Sequence, residues 1–128
     1  MKLYTLDNQF IKETSILPPK FTGIAEYIDS AKEWWFDGNI HRLDGPARVW
    51  LHGTKEWWID GKRHRLDGPA VEWPDGTKIW WIDGKRHRLD GPASEYSNGY
   101  KDWYIDGKQY TEKQCKLLHS IMKLKGLI

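Results

Sequence analysis

Trp57-Trp58-Ile59-Asp60-Gly61-Lys62-Arg63-His64-Arg65-Leu66-Asp67-Gly68-Pro69-Ala70 is the stretch on which the reading of this chain turns. Shifted by 23 residues it returns as Trp80-Trp81-Ile82-Asp83-Gly84 followed by Lys85-Arg86-His87-Arg88-Leu89-Asp90-Gly91-Pro92-Ala93. Looser copies lie on either side. Trp34-Trp35-Phe36-Asp37-Gly38 precedes an identical His-Arg-Leu-Asp-Gly-Pro-Ala block at 41–47, and Trp103-Tyr104-Ile105-Asp106-Gly107 closes the series. A fixed period of this length is the mark of stacked supersecondary units, each too small to bury its own faces. Residues 20–110 therefore read as one repeat region, with residues 1–19 as an N-terminal cap segment and 111–128 as a C-terminal amphipathic helix.

Each unit is punctuated by glycine. Gly38, Gly45, Gly53, Gly61, Gly68, Gly76, Gly84, Gly91, Gly99 and Gly107 recur every seven or eight residues, mostly as Asp-Gly or Asn-Gly. These dipeptides favour tight turns because both residues tolerate positive φ. The intervening four to six residues are strand length, so a mainly β, elongated, twisted antiparallel meander is expected. Before it, Asp7-Asn8 suggests a short hairpin. After it, Thr111-Glu112-Lys113-Gln114 is a capping box, Leu117, Leu118, Ile121 and Leu124 fall at helical spacing, and Gly126 suits a C-terminal stop. The helix is expected to cover the apolar face of the last unit.

Alternation along the strands sorts the aromatic residues into columns. Trp34/Phe36, Trp57/Ile59, Trp80/Ile82 and Trp103/Ile105 form a wholly apolar column, expected to be the buried face. Trp35, Trp58, Trp81 and Tyr104 share their face with Glu33, Glu56, Ile79 and Asp102, so this second column is expected to be partly exposed. Tyr27, Trp50, Trp73 and Tyr96 make a third. Nine Trp in 128 residues supply area to a thin sheet, and an exposed aromatic ladder beside charges also suits a binding platform.

Catalytic and metal chemistry find little footing. His41, His64 and His87 occupy equivalent places in successive units, roughly 10–15 Å apart at ~4.8 Å per strand, too far for a shared metal. Asp44, Asp67 and Asp90 are better read as capping their own turns or pairing with Arg42, Arg65 and Arg88. No phosphate loop, nucleophile elbow or Cys-x-x-Cys pair is present, and Cys115 with His119 is only a weak pair. A non-enzymatic chain without cofactor or metal is expected. The formal charge is +2 with 30% charged residues, unlike a globally basic nucleic-acid binder. Locally, however, Lys62, Arg63 and Arg65, with Lys85, Arg86 and Arg88, form two adjacent basic loops. Beside Trp35, Trp58, Trp81 and Tyr104 they are the candidate partner-binding residues. A single cysteine allows no internal disulfide, and neither a secretory leader nor an apolar run of membrane-spanning length is evident, so a cytoplasmic, non-transmembrane protein is expected.

The cadence Gly61-Lys62-Arg63-His64…Gly68…Trp73-Pro74-Asp75-Gly76-Thr77-Lys78…Trp81-Ile82-Asp83-Gly84 resembles the MORN repeat, in a divergent Trp-rich form of the kind found in bacteria and their phages. The resemblance covers about residues 20–110. It implies an elongated single-layer sheet, often closed by a short C-terminal helix, acting as a scaffold, dimerisation or protein-binding module, with phospholipid binding proposed for some members. The expected function is thus binding of a protein partner, by analogy a host defence or regulatory protein in a phage setting. The alternative is a phosphate-bearing ligand (a nucleotide, nucleic acid or anionic lipid) held by the basic loops. A homodimer is a further expectation.

Overall fold

A computed structural model describes all 128 residues. It is an open antiparallel meander followed by one helix. The N-terminal hairpin is β1 (Lys2–Tyr4) and β2 (Phe10–Glu13); the degenerate first unit supplies β3 (Gly23–Glu26), β4 (Ala31–Phe36) and β5 (Asn39–Ile40). The second contributes β6 (Arg48–Trp50), β7 (Lys55–Glu56), β8 (Trp58–Ile59) and β9 (Lys62–Arg63), and the third β10 (Val71–Glu72), β11 (Lys78–Ile79), β12 (Trp81–Ile82) and β13 (Lys85–Arg86). The series ends with β14 (Ser94–Glu95), β15 (Lys101–Ile105), β16 (Lys108–Tyr110) and α1 (Glu112–Leu124). The main sheet runs β16-β15-β14-β11-β10-β7-β6-β4-β3-β1-β2, with β5 on β4. β8-β9 and β12-β13 are separate two-stranded ribbons. Residues 1–19 join the repeats directly, since β1 pairs with β3 and Leu3 is buried against Phe21 and Ala25.

Asp-Gly turns do what their chemistry allows at one of the three sites per unit. At Asp60-Gly61 and Asp83-Gly84 both residues have positive φ, the turn that matches strand twist. Gly45, Gly68 and Gly91 differ from expectation, because none has positive φ. Their small size matters instead: a Cβ on Gly68 would meet the Arg65 guanidine carbon at 3.0 Å. The His-Arg-Leu-Asp-Gly-Pro blocks are loops joining ribbon to main sheet, and each packs its arginine against its glycine.

Successive units are stapled by the histidines. The Nδ1 atoms of His41, His64 and His87 accept hydrogen bonds from the backbone N–H of Asp60, Asp83 and Asp106, at 3.0, 3.0 and 2.8 Å. Next to them, Gly61, Gly84 and Gly107 donate to the carbonyls of Ile40, Arg63 and Arg86. Each turn is therefore pinned to the preceding unit, which is why histidine repeats with the same period.

Register fixes two rows across the sheet. One reads Lys2, Glu26, Lys32, Val49, Lys55, Glu72, Lys78, Glu95, Lys101, with opposite charges facing each other almost throughout. The other reads Leu3, Ala25, Glu33, Arg48, Glu56, Val71, Ile79, Ser94, Asp102. The second row is the more buried, and this corrects the expected burial. Trp34, Trp57, Trp80 and Trp103 are only half-buried, Phe36 is exposed, and of that column only Ile105 is buried. Burial falls instead on Ala47, Ala70 and Ala93 at the start of each main-sheet hairpin, and on Glu33, Glu56, Thr54, Thr77 and Ser94. The repeat sheet has no second layer, so burial in its middle falls mainly on small side chains and those sandwiched within the rows, while Phe21, Ile24, Ile40 and Ile105 are buried towards its two ends.

The helix begins as expected. Thr111 Oγ1 accepts from Gln114 N–H, and Gln114 Oε1 from Thr111 N–H, at 3.1 and 2.9 Å. Its buried side is a correction: Cys115 faces the sheet with Leu118, His119 and Met122, while Leu117 and Leu124 are 61% and 88% exposed. At 100° per residue, Leu117, Ile121 and Leu124 share the stripe pointing away.

Candidate functional site

The face bearing Glu33, Arg48 and Glu56 carries both outer aromatic columns, because Trp50, Trp73 and Tyr96 lie two residues beyond row members, as do Trp35, Trp58, Trp81 and Tyr104. Of these, Trp50, Trp73 and Trp81 wall a shallow groove of about 400 Å³, with Arg48, Arg63, Arg86, His52, Thr54, Glu56, Val71 and Ile79 completing its lining. Trp73, at its mouth, is 50% exposed.

Cross-strand pairing places Trp58 opposite Arg63 and Trp81 opposite Arg86. The guanidinium of Arg63 lies 5.1 and 5.3 Å from the Trp58 and Trp81 ring centres, and that of Arg86 lies 5.6 and 5.3 Å from Trp81 and Tyr104. Arg48 extends the series towards Trp58 at 5.3 Å. The result is an alternating ladder, Arg48, Trp58, Arg63, Trp81, Arg86, Tyr104. Such cation–ring contacts hold a guanidinium flat while leaving its in-plane N–H groups free to donate.

Counter-charges differ from unit to unit. Glu56, 4% exposed, accepts from Arg48 Nη1 at 3.3 Å, from Arg63 Nε and Nη2 at 3.2 and 3.1 Å, and from Trp50 Nε1 at 2.7 Å. Glu33 accepts from Arg48 Nε at 3.1 Å and Trp35 Nε1 at 3.0 Å; burial, then Glu33, pushes the Tyr27 hydroxyl pKa up. One unit on, the position of Glu56 is Ile79. Arg86 stands seven residues after Ile79, as Arg63 does after Glu56, yet it makes no ion pair. The buried Nε1 atoms of Trp58 and Trp81 both lack a hydrogen-bond partner, a feature the two units share. The groove thus contains one ring-sandwiched arginine, Arg86, whose carboxylate position holds the sec-butyl side chain of Ile79.

The ten residues singled out from the sequence divide between two faces. Trp35, Trp58, Trp81, Tyr104, Arg63 and Arg86 come together on the groove face. Arg65 and Arg88 do not; they stack on Trp57 and Trp80, each 3.8 Å from the ring centre. Their charges are engaged, Arg65 by Asp67 and Glu72 and Arg88 by Asp90 and Glu95, all at 3.1–3.2 Å. Lys62 and Lys85 pair across their ribbons with Ile59 and Ile82 on that same opposite side, with Lys85 3.8 Å from Asp106. The aspartates expected to pair with Arg42, Arg65 and Arg88 do so, and the Arg42 guanidinium holds the Asp44 carboxyl below its ordinary pKa. Alternation placed Glu56 and Ile79 on this face, but neither they nor Arg48 were singled out as functional; the signal available was the seven-residue Glu–Arg spacing, intact at 56/63 and broken at 79/86.

The remaining chemical candidates are occupied structurally. His119 Nδ1 donates to the Leu89 carbonyl at 2.6 Å and so is turned to the backbone. Desolvation raises the Cys115 thiol pKa, away from the reactive thiolate. No protein-family model, curated protein or solved structure matches the chain. No helix is long and apolar enough to cross a membrane.

Proposed function

We propose that this chain is a non-enzymatic protein-binding repeat module that takes an acidic segment of its partner into the aromatic–arginine groove. The observation that carries it is Arg86, held between Trp81 and Tyr104 beside exposed Trp73, with Ile79 where the preceding unit has Glu56. A partner's Asp or Glu supplies the missing carboxylate, and its apolar neighbours cover Trp73, the combination of aromatic and arginine that anchors protein interfaces. On the motif cadence described above, we class it with divergent MORN-like proteins of bacterial or phage type. We propose a cytoplasmic setting and, by analogy, a host defence or regulatory protein as partner. The phosphate alternative draws less support: Arg65 and Arg88 face the other way with their charges engaged, so the two basic loops do not make one patch.

The test is affinity capture on the immobilised protein, read by mass spectrometry. Arg86→Ala and Trp73→Ala should each lose a captured protein that Lys62→Ala retains. Capture indifferent to Arg86→Ala sinks the reading, as does Arg86-dependent binding of nucleotide or phosphatidylserine vesicles without any protein partner.

A further inference from the structure

The charge row on the opposite face has one gap. Its alternate places are held by Glu26, Val49, Glu72 and Glu95, each 23 residues after the last. Lysines flank every one of them across the strands: Lys32 and Lys55 beside Val49, Lys55 and Lys78 beside Glu72, Lys78 and Lys101 beside Glu95. At Glu72 and Glu95 the carboxylate also receives the arginine seven residues earlier. Arg65 Nη1 donates to the Pro69 carbonyl at 3.0 Å and to Glu72 Oε1 at 3.1 Å. Arg88 Nη1 donates to the Pro92 carbonyl at 3.1 Å and to Glu95 Oε1 at 3.2 Å.

Arg42 stands in the same place one unit earlier, its guanidinium 4.1 Å from the Trp34 ring centre. Its Nη1 donates to the Pro46 carbonyl at 3.2 Å and to nothing else, because Val49 has no carboxylate. Asp44 accepts from its Nε just as Asp67 and Asp90 do in their units, so the difference is confined to one missing acceptor. The flanking lysines lack it too. Lys32 Nζ rests 5.4 Å from the Trp34 ring centre, and Glu72, on the other flank of Lys55, is committed to Arg65.

Space and apolar surface accompany the missing group. A concavity of about 680 Å³ lies beside Lys32 and is lined by Val49, Leu51 and Ile28. Ile28 and Leu51 are 68% and 75% exposed. Glu26 and Asp29 share that lining and disfavour a second negative charge on whatever enters.

We infer that Arg42, Lys32 and Lys55 bind a carboxylate from outside the chain, a monoanion whose aliphatic body lies over Val49, Leu51 and Ile28. The seat does not rest on the reading given to Arg86, which faces the other side of the sheet.

Hexanoate is the probe, titrated at constant ionic strength into the full-length, isotope-labelled protein and followed by amide and arginine Nε–H shifts. Saturable shifts at Val49, Leu51 and Arg42 are expected. Hexanol, which lacks the charge, and acetate, which lacks the body, should each bind about tenfold or more weakly. Arg42→Gln should weaken hexanoate by about tenfold, the worth of a hydrogen bond to a charged group, whereas Arg86→Ala leaves it unchanged. Val49→Glu supplies the carboxylate from within, as the next two units do. It should keep or raise the parent melting temperature and abolish the hexanoate shifts. An acetylated Leu-Glu-Leu amide that displaces hexanoate at lower concentration assigns the carboxylate to a partner's side chain; weaker displacement assigns it to a free acid. The inference is overturned if tens of millimolar hexanoate give no saturable shift, or if Val49→Glu binds hexanoate like the parent. It is equally overturned if inorganic phosphate moves the same resonances as strongly, because the three cations are then an unselective anion patch.

Discussion

Replacing Glu56 by Ala tests whether this sheet is held from within by its charge row. The carboxylate is almost fully enclosed and receives hydrogen bonds from Arg48, Arg63 and Trp50 Nε1. Removing one partner of a buried pair typically costs about 3–5 kcal/mol, because the other charge is left uncompensated. Two features lower the figure here. Arg48 keeps Glu33 at 3.1 Å, and the Arg63 side chain is 38% exposed and can turn its charge to water. The expected cost is therefore about 3 kcal/mol, equivalent to a fall in melting temperature of about 10 °C for a domain of this size. Urea unfolding followed by circular dichroism gives the number from the midpoint and slope. Glu72→Ala is the internal control: its carboxylate pairs with Arg65 but sits 36% exposed, so below about 1 kcal/mol is expected. If Glu56→Ala costs no more than Glu72→Ala, the buried row is not what holds the central strands. Backbone pairing and ring stacking would then suffice.

Three further outcomes follow from the contacts. His64→Ala removes the acceptor for the Asp83 N–H and should cost about 1 kcal/mol, with amide exchange accelerated at Asp83 and Gly84 first; unchanged exchange there would remove the staple. Gly68→Ala places a Cβ against the Arg65 guanidine at 3.0 Å without backbone strain, so it should lift Arg65 off Trp57 and cost less than Gly84→Ala, where φ is +76° and strain of about 1–3 kcal/mol applies. Equal melting temperatures for the two would contradict that assignment. Cys115 is buried with its pKa raised by desolvation, so a thiol reagent at neutral pH should label it only after denaturant is added; rapid labelling of the native protein would mean that α1 undocks.

Much of this architecture was readable from periodicity. The 23-residue spacing, the Asp60-Gly61 type of turn and the Thr111–Gln114 capping box each depend on a few neighbouring residues, so local chemistry decides them. Burial was not readable in the same way. Alternation tells which side of a strand Trp57 and Trp58 occupy, but not that neither side meets a second layer. The apolar column consequently stays half-open, and the most buried positions include Glu56 and Ala70. The division of the basic loops had a similar cause. Arg63 and Arg65 would share a face in a continuing strand, but β9 ends at Arg63, and the loop carries Arg65 round to Trp57. Parity also misjudged the helix, since four apolar residues at helical spacing define a stripe without saying whether the sheet or the solvent receives it.

The histidine staples give the array a direction. The turns at Asp60-Gly61, Asp83-Gly84 and Asp106-Gly107 each reach back to a histidine acceptor in the unit before. For a chain leaving the ribosome N-terminus first, the mooring for each new unit is complete before that unit emerges. The amides of Arg42, Arg65 and Arg88, by contrast, bond to Trp58, Trp81 and Tyr104 carbonyls one unit downstream, and the last unit ends in Tyr110 rather than histidine where α1 takes over.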